Sequence, residues 1–257
     1  LRTMLSKELL GALLSPDAGI RSKAESVFRS VAVPERVQGL TNLLLTSIVA
    51  TDNDSKSASM LIAVLLRRDV LKLTDSSMLI ELVGPLLQCY TNTSHATLNT
   101  KVAVGHCLAE VCSSLSMISD ASTVDAILSK ILISVVDPQR GLVVTSDQEI
   151  LSSLKLLAAL ADRAPMAFTR VGLPSLQVLT SSFIQSYGDA DTKNAGLWTK
   201  LVELIVSGAV ATTVDEESSV IRASMAVKNP DELVIDVSSS AAQLGVHCLL
   251  PILGKFA

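Results

Sequence analysis

Apolar residues recur at helical spacing from the start of the chain. Leu5, Leu9, Leu10, Leu13 and Leu14 mark one face of a helix over residues 4–14. The run halts at Ser15-Pro16-Asp17. Ser15 is expected to cap the next helix, with Pro16 in its first position and Asp17 in its first turn, where the helix dipole favours a carboxylate. Ile20, Ala24, Val27 and Phe28 then form a second apolar stripe, so the stretch reads as two helices joined by a tight corner.

The same unit recurs along the chain. Leu40, Leu43, Leu44 and Ile48 share a face of residues 37–50. The polar stretch from Thr51 to Ser55 ends that run, and Asp54 or Ser55 would cap the next, through Ala58, Leu61, Ile62 and Leu65. A third pair starts near Ser76 with Leu79, Leu82, Val83 and Leu86, and turns at Asn92–Ser94 into residues 102–115. A fourth spans 123–136 and 147–161, with Asp137-Pro-Gln-Arg-Gly141 in its corner; a fifth spans about 165–187 and 191–210. Asn229-Pro-Asp-Glu-Leu233 echoes the first corner and opens a helix toward Gly245 and Leu250. The second helices start roughly 40 residues apart, the period of HEAT-type pairs. A tetratricopeptide repeat would need Trp and Tyr at fixed places, which one Trp and two Tyr do not supply. The predicted fold class is all-α: an α-α superhelix, or HEAT-repeat solenoid, of about five to six helix pairs. The pairs fall at residues 2–31, 35–72, 75–117, 121–163, 165–212 and, in part, 216–257, making one continuous segment over 1–257.

Composition fits that reading. Hydrophobic residues make up 49%, charged residues 18% and aromatics only 3%, so the apolar mass is mainly Leu, Val, Ala and Ile. Leu and Ala favour helix, and 12 Gly with 8 Pro are few for an all-β chain of this size. A mean hydropathy of +0.47 raises the question of a membrane span. The charge-free stretch 171–188 carries Gly172, Pro174, several Ser and two Gln, a poor bilayer helix. The shorter run 37–51 is broken by Gln38, Asn42 and Thr46. No membrane insertion is expected, because stacked hairpins cover each other's apolar faces. A net charge of −4, without any Lys/Arg-rich run, argues against direct nucleic-acid binding. Arg2, Lys7 and Glu8 interrupt any signal-peptide core. The start at Leu1 and the end at Leu-Pro-Ile-Leu-Gly-Lys-Phe-Ala257 lead us to expect a longer parent chain.

Catalytic chemistry finds little footing. Cys89, Cys107, Cys112 and Cys248 form no Cys-x-x-Cys pair and read as small core hydrophobes of a reducing compartment. His106 adjoins Cys107, but Cys107 and Cys112 lie about 140° apart round a helix, too far to share a tetrahedral ion. Cys107 as a nucleophile would need a neighbouring base. The phosphate-binding, metalloprotease and nucleophile-elbow motifs are missing from the sequence. The acids Asp215–Glu217, Asp189 and Asp191 stand at predicted helix starts, and Asn53 and Asn92 head Asn-x-Ser/Thr triplets of a kind frequent by chance. The expectation is a non-enzyme without cofactor or metal. Histidines are His95, His106 and His247.

Two stretches carry a resemblance. Leu13-Leu-Ser-Pro-Asp-Ala-Gly-Ile-Arg-Ser-Lys-Ala-Glu25, followed after about one helix pair by Ala63-Val-Leu-Leu-Arg-Arg68, resembles the N-terminus of the importin-β (karyopherin-β) superfamily of nuclear transport receptors. The importin-five (Ran-binding protein five) branch is the nearest in pattern. The specific likeness covers about residues 5–73; beyond it only the rhythm of helix pairs continues.

The resemblance implies the N-terminal part of a longer superhelix that shuttles between cytoplasm and nucleus. Second helices would line a concave face and bind the GTP form of the GTPase Ran. First helices would form a convex face where phenylalanine-glycine nucleoporins insert, and protein cargo would be held mainly by repeats further along. Ran would act by favouring a curvature that cargo does not tolerate. Arg21, Lys23, Lys56, Arg67, Arg68 and Lys101 are the implied Ran-facing cations, and Leu86, Ile131 and Leu179 the implied nucleoporin contacts. The plainer reading of the cations is that they complement helix C-termini, stand solvated, or pair with neighbouring repeats through acids such as Glu25 and Asp69. The rival from another class is a HEAT-repeat scaffold of a phosphatase, trafficking or regulatory complex.

Overall fold

The computed structural model describes residues 5–48, 53–92, 97–137, 141–142, 146–187, 196–206 and 208. The chain divides into two compact units, Leu1–Ile118 and Ser119–Ala257. The expected partial pair at 216–257, with the Asn229–Leu233 corner, lies outside the described residues.

The first unit holds three hairpins: α1 (Lys7–Leu13) with α2 (Ala18–Ser30), α3 (Val33–Ile48) with α4 (Asn53–Val70), and α5 (Ser76–Thr91) with α6 (Leu98–Ile118). Two of the described turns follow from local chemistry. Between α1 and α2 the cap is Asp17, not Ser15. Its carboxylate accepts from the Gly19 and Ile20 amides at 2.7 and 3.0 Å, satisfying donors that the first helical turn leaves open. Ser15 instead accepts from the Asp17 amide at 3.2 Å, and the Arg21 guanidinium closes the turn on the Ser15 and Pro16 carbonyls at 2.7 and 2.8 Å. Asp75 caps α5 in the same manner, accepting from Ser77 at 2.9 Å. The apolar stripe of α2 is narrower than its sequence suggests. Ala24 and Phe28 are buried, whereas Ile20 and Val27 remain 47% and 41% exposed.

Buried polar contacts fix how the hairpins sit. Within the second hairpin, Arg36 near the start of α3 grips Asp69 near the end of α4, with Nε–Oδ2 at 2.7 Å and Nη2–Oδ1 at 3.0 Å, so the two helices are antiparallel. The same guanidinium donates to the Val31 carbonyl at 2.7 Å and lies 5.1 Å from the Phe28 ring centroid, tying α2 to this pair. Between hairpins, α4 meets α6 in three steps. Ser59 and Thr100 hydroxyls are 3.2 Å apart, the Cys107 thiol donates to the Ala63 carbonyl at 3.1 Å, and Arg67 Nη2 meets Glu110 Oε1 at 2.8 Å. Partners rise together in number, so α4 and α6 run parallel, with sequence separations of 41, 44 and 43 residues between partners. The first helices α3 and α5 also touch. Alternate helices therefore stack on one another within this unit.

Helix α6 shows what stacking does to a sequence. At 21 residues it is long and apolar enough to cross a membrane by length and composition. Here it packs against both α4 and α5 and buries residues on every side, from Thr100 and Lys101 to Cys112 and Leu115.

The second unit comprises α7 (Ala121–Val135), the short strands β1 (Val136–Asp137) and β2 (Gly141–Leu142), α8 (Asp147–Arg163), α9 (Pro165–Ala167), α10 (Leu173–Tyr187) and a helix over 196–206. The corner after α7 is more than a turn: β1 and β2 pair antiparallel, Val136 opposite Leu142 and Asp137 opposite Gly141. The expected single helix over 165–187 contains a π turn at Phe168–Gly172. Gly172 permits it, since a Cβ there would stand 2.7 Å from the buried Phe168 ring. Arg170, on this turn, reaches Asp125 of α7 at 2.8 and 2.9 Å. The fully buried Trp198 meets Phe183 of α10 edge-on, with centroids 5.0 Å apart.

Burial opposes ionisation of Asp69, but the hydrogen bonds and charge of Arg36, seconded by Lys72, win and hold its carboxyl below the usual range. The depressed folded-state value means that this stabilisation is complete above the unfolded aspartate pKa of about 4 and drains away as pH falls through the lower folded value. Asp69→Asn should cost about 3 kcal/mol at neutral pH, because it leaves Arg36 buried and unmatched. Urea unfolding from pH 7 to pH 3 checks this: the gap between wild type and variant should narrow on acidification.

Candidate functional site

The faces of α4 assign its residues to three tasks. Ser59, Ala63 and Arg67 point at α6, as described above. Leu61 and Leu65, at i and i+4, point toward α2, where they line a groove of about 190 Å³ with Leu13, Glu25, Phe28, Arg29 and Arg68. Between these two faces run Met60, Val64 and Arg68, spaced four residues apart, with Leu71 one turn further on. Met60, Val64 and Leu71 are 44%, 50% and 52% exposed. The groove wall and the exposed stripe meet at Arg68.

Electrostatics single out that residue. Across the groove, Glu25 binds Arg29 one turn along α2 at 3.1 Å, so those charges answer each other. Arg67 is taken by the buried Glu110. Arg68 is exposed and forms no hydrogen bond or ion pair with any other described residue.

The expected cations thus separate into different roles. Arg21 locks the corner before α2, and Lys23 stands exposed on α2. Arg67 joins α4 to α6, and Lys101 is 5% exposed within α6. Lys56 belongs to α4, but its side chain lies outside those described. Leu86, Ile131 and Leu179 are fully buried in α5, α7 and α10, where they form core rather than groove surface. Phe28, Arg29, Leu61 and Leu65 carry no distinct site signature in the sequence. The only signals were the i, i+4 spacings of Glu25 with Arg29 and Leu61 with Leu65, which any amphipathic helix shares. One convergence was not visible in sequence. Leu13 and Glu25 bound the Leu-Leu-Ser-Pro-Asp stretch, Leu65 and Arg68 belong to the Ala-Val-Leu-Leu-Arg-Arg stretch, and all four line one groove.

Catalytic groupings are sparse. Among the described residues no group of three or more His, Cys, Asp or Glu is placed to hold a metal ion. Burial pushes the thiols of Cys89, Cys107 and Cys112 up to about 11, 12 and 12, so the thiolate is scarce at neutral pH. His95, His247, Cys248 and the acids at 189, 191 and 215–217 lie outside the described residues. Comparison with known proteins returned no matching protein family, curated protein or solved structure.

In the native protein, Ellman's reagent should leave Cys89, Cys107 and Cys112 unmodified at pH 8 until denaturant is added. Peptide mapping of the labelled sites would check this; rapid labelling of Cys107 without denaturant would contradict the buried α4–α6 seam.

Proposed function

We propose that the chain is a HEAT-type segment of a nuclear transport receptor of the importin-β kind, a non-enzymatic binding protein without cofactor. Its second-helix layer takes Ran in the GTP form, and phenylalanine-glycine nucleoporins engage the first-helix side. Cargo is carried mainly by repeats beyond this segment, and the receptor moves between cytoplasm and nucleus.

One observation carries this reading. The two stretches that resemble the family's N-terminus come together in space, on the walls of one groove between α2 and α4. A resemblance spread over remote surfaces would carry no functional weight; one gathered at a single face is a candidate docking surface. The parallel packing of α4 on α6 supports the repeat that such receptors need, because hairpins stacked in register present second helices side by side. Arg68 and Lys23 supply exposed cations on that layer, whereas Arg67 acts mainly between hairpins.

A scaffold of a phosphatase, trafficking or regulatory complex would share the stacked hairpins, and the burial of Lys101 and the engagement of Arg67 favour it by thinning the cationic surface. Nucleotide dependence separates the two. The immobilised chain, and in parallel a longer receptor containing it, should capture Ran loaded with a non-hydrolysable GTP analogue and not Ran loaded with GDP. Arg68→Glu should weaken capture about tenfold or more, as for a lost charge-assisted contact. Equal capture of both nucleotide forms, or capture of neither by the longer receptor, would overturn the proposal.

A further inference from the structure

The surface around Arg68 combines features that seldom coexist on a face meant only for water. Met60 and Val64 on α4 and Leu71 in the turn just after it leave about half of their area exposed, and Arg68 lies between Val64 and Leu71 in the chain. Beside it, the groove floor of Phe28, Leu61 and Leu65 is apolar. Single exposed apolar residues are ordinary, but a row of them beside a concave apolar floor marks a contact surface.

Size and charge narrow the occupant. At about 190 Å³ the groove falls short of the roughly 300 Å³ of a small-molecule pocket and suits one bulky side chain. Anything that covers the stripe must also cover Arg68. Removing that charge from water is costly unless an anion meets it, and a carboxylate matches the planar guanidinium with two hydrogen bonds. The other two charges on the groove already satisfy each other, Glu25 with Arg29, so among the described residues that line it the unanswered charge is a single positive one. A basic segment would set like charges together; a purely apolar one would strand the guanidinium.

We propose that this face binds a short acidic segment of a partner protein, whose apolar anchor enters the groove between α2 and α4 while a neighbouring carboxylate pairs with Arg68. Apolar residues on either side of that carboxylate lie along Met60 and Val64, in the helix-on-groove mode of peptide recognition. The inference stands on unit geometry and charge and holds whether or not the partner is a GTPase.

The test pans phage-displayed random dodecapeptides against the immobilised whole chain, with counter-selection on the chain carrying Val64→Glu and Arg68→Glu. Both positions are exposed, so the variant should keep the wild-type circular dichroism and melting temperature. Enriched peptides should combine at least one bulky apolar residue with nearby Asp or Glu. Arg68→Glu alone should weaken the best of them about tenfold or more, the loss of a charge-assisted pair. A version of that peptide with Lys in place of its acids should bind Arg68→Glu better than wild type. Three results would overturn the proposal: no peptide distinguishing wild type from the variant, enrichment of basic or uncharged peptides, or a wild-type dimer in sedimentation that Val64→Glu dissociates, which would make a second copy the occupant.

Discussion

Arg36 is the point at which the first two hairpins become one structure. Its guanidinium is almost fully buried and has no water to turn to, so every face of it must find protein. Two donors go to Asp69 on α4, a third to the carbonyl of Val31 between α2 and α3, and the flat face covers Phe28 of α2. Such a pair adds little to stability compared with a well-packed apolar substitute, but breaking half of it is severe. Its consequence is geometric. With Arg36 held, Phe28 and α4 have a fixed separation, and the groove floor between them is set. The Arg67–Glu110 pair has the same effect one step on, where the carboxylate is sealed and its guanidinium partner sits at the edge.

Much of this architecture can be read in the sequence, because amphipathic periodicity reports which helix face is covered. The helices that the periodicity predicts up to residue 187 correspond to described helices within a few residues. Where reading and structure part, a non-periodic cause is at work. Ser15 and Asp17 are both good caps, and the choice between them depends on Arg21 binding two carbonyls of the corner. The π turn at Phe168–Gly172 depends on one ring lying against one glycine, and the pairing of β1 with β2 on two residues a side, too few to show alternation. Ile20 and Val27 look like core by spacing, yet both are more than 40% exposed.

The candidate site was less legible, for a physical reason. A cation's role depends on what faces it across a helix interface, and that partner lies some 43 residues away for Arg67. Adjacent arginines on α4 therefore have opposite fates: 100° of helical rotation turns Arg67 toward a buried glutamate and Arg68 toward solvent. Lys101 is indistinguishable in sequence from an exposed lysine, yet it falls on a helix enclosed by its neighbours. The apolar residues offered as groove contacts failed to reach a surface because the most regular apolar positions of stacked hairpins are also the most buried.

The central claim is that the second and third hairpins are held in parallel register across α4 and α6 by a contact whose charged part is the Arg67–Glu110 pair. A double-mutant cycle on Arg67→Ala and Glu110→Ala, read by urea unfolding, tests it most directly. The account predicts a coupling of about 1 kcal/mol or more between the two sites. Strict additivity of the two single substitutions would mean that α4 and α6 do not meet there, and the stacked arrangement would fall with it.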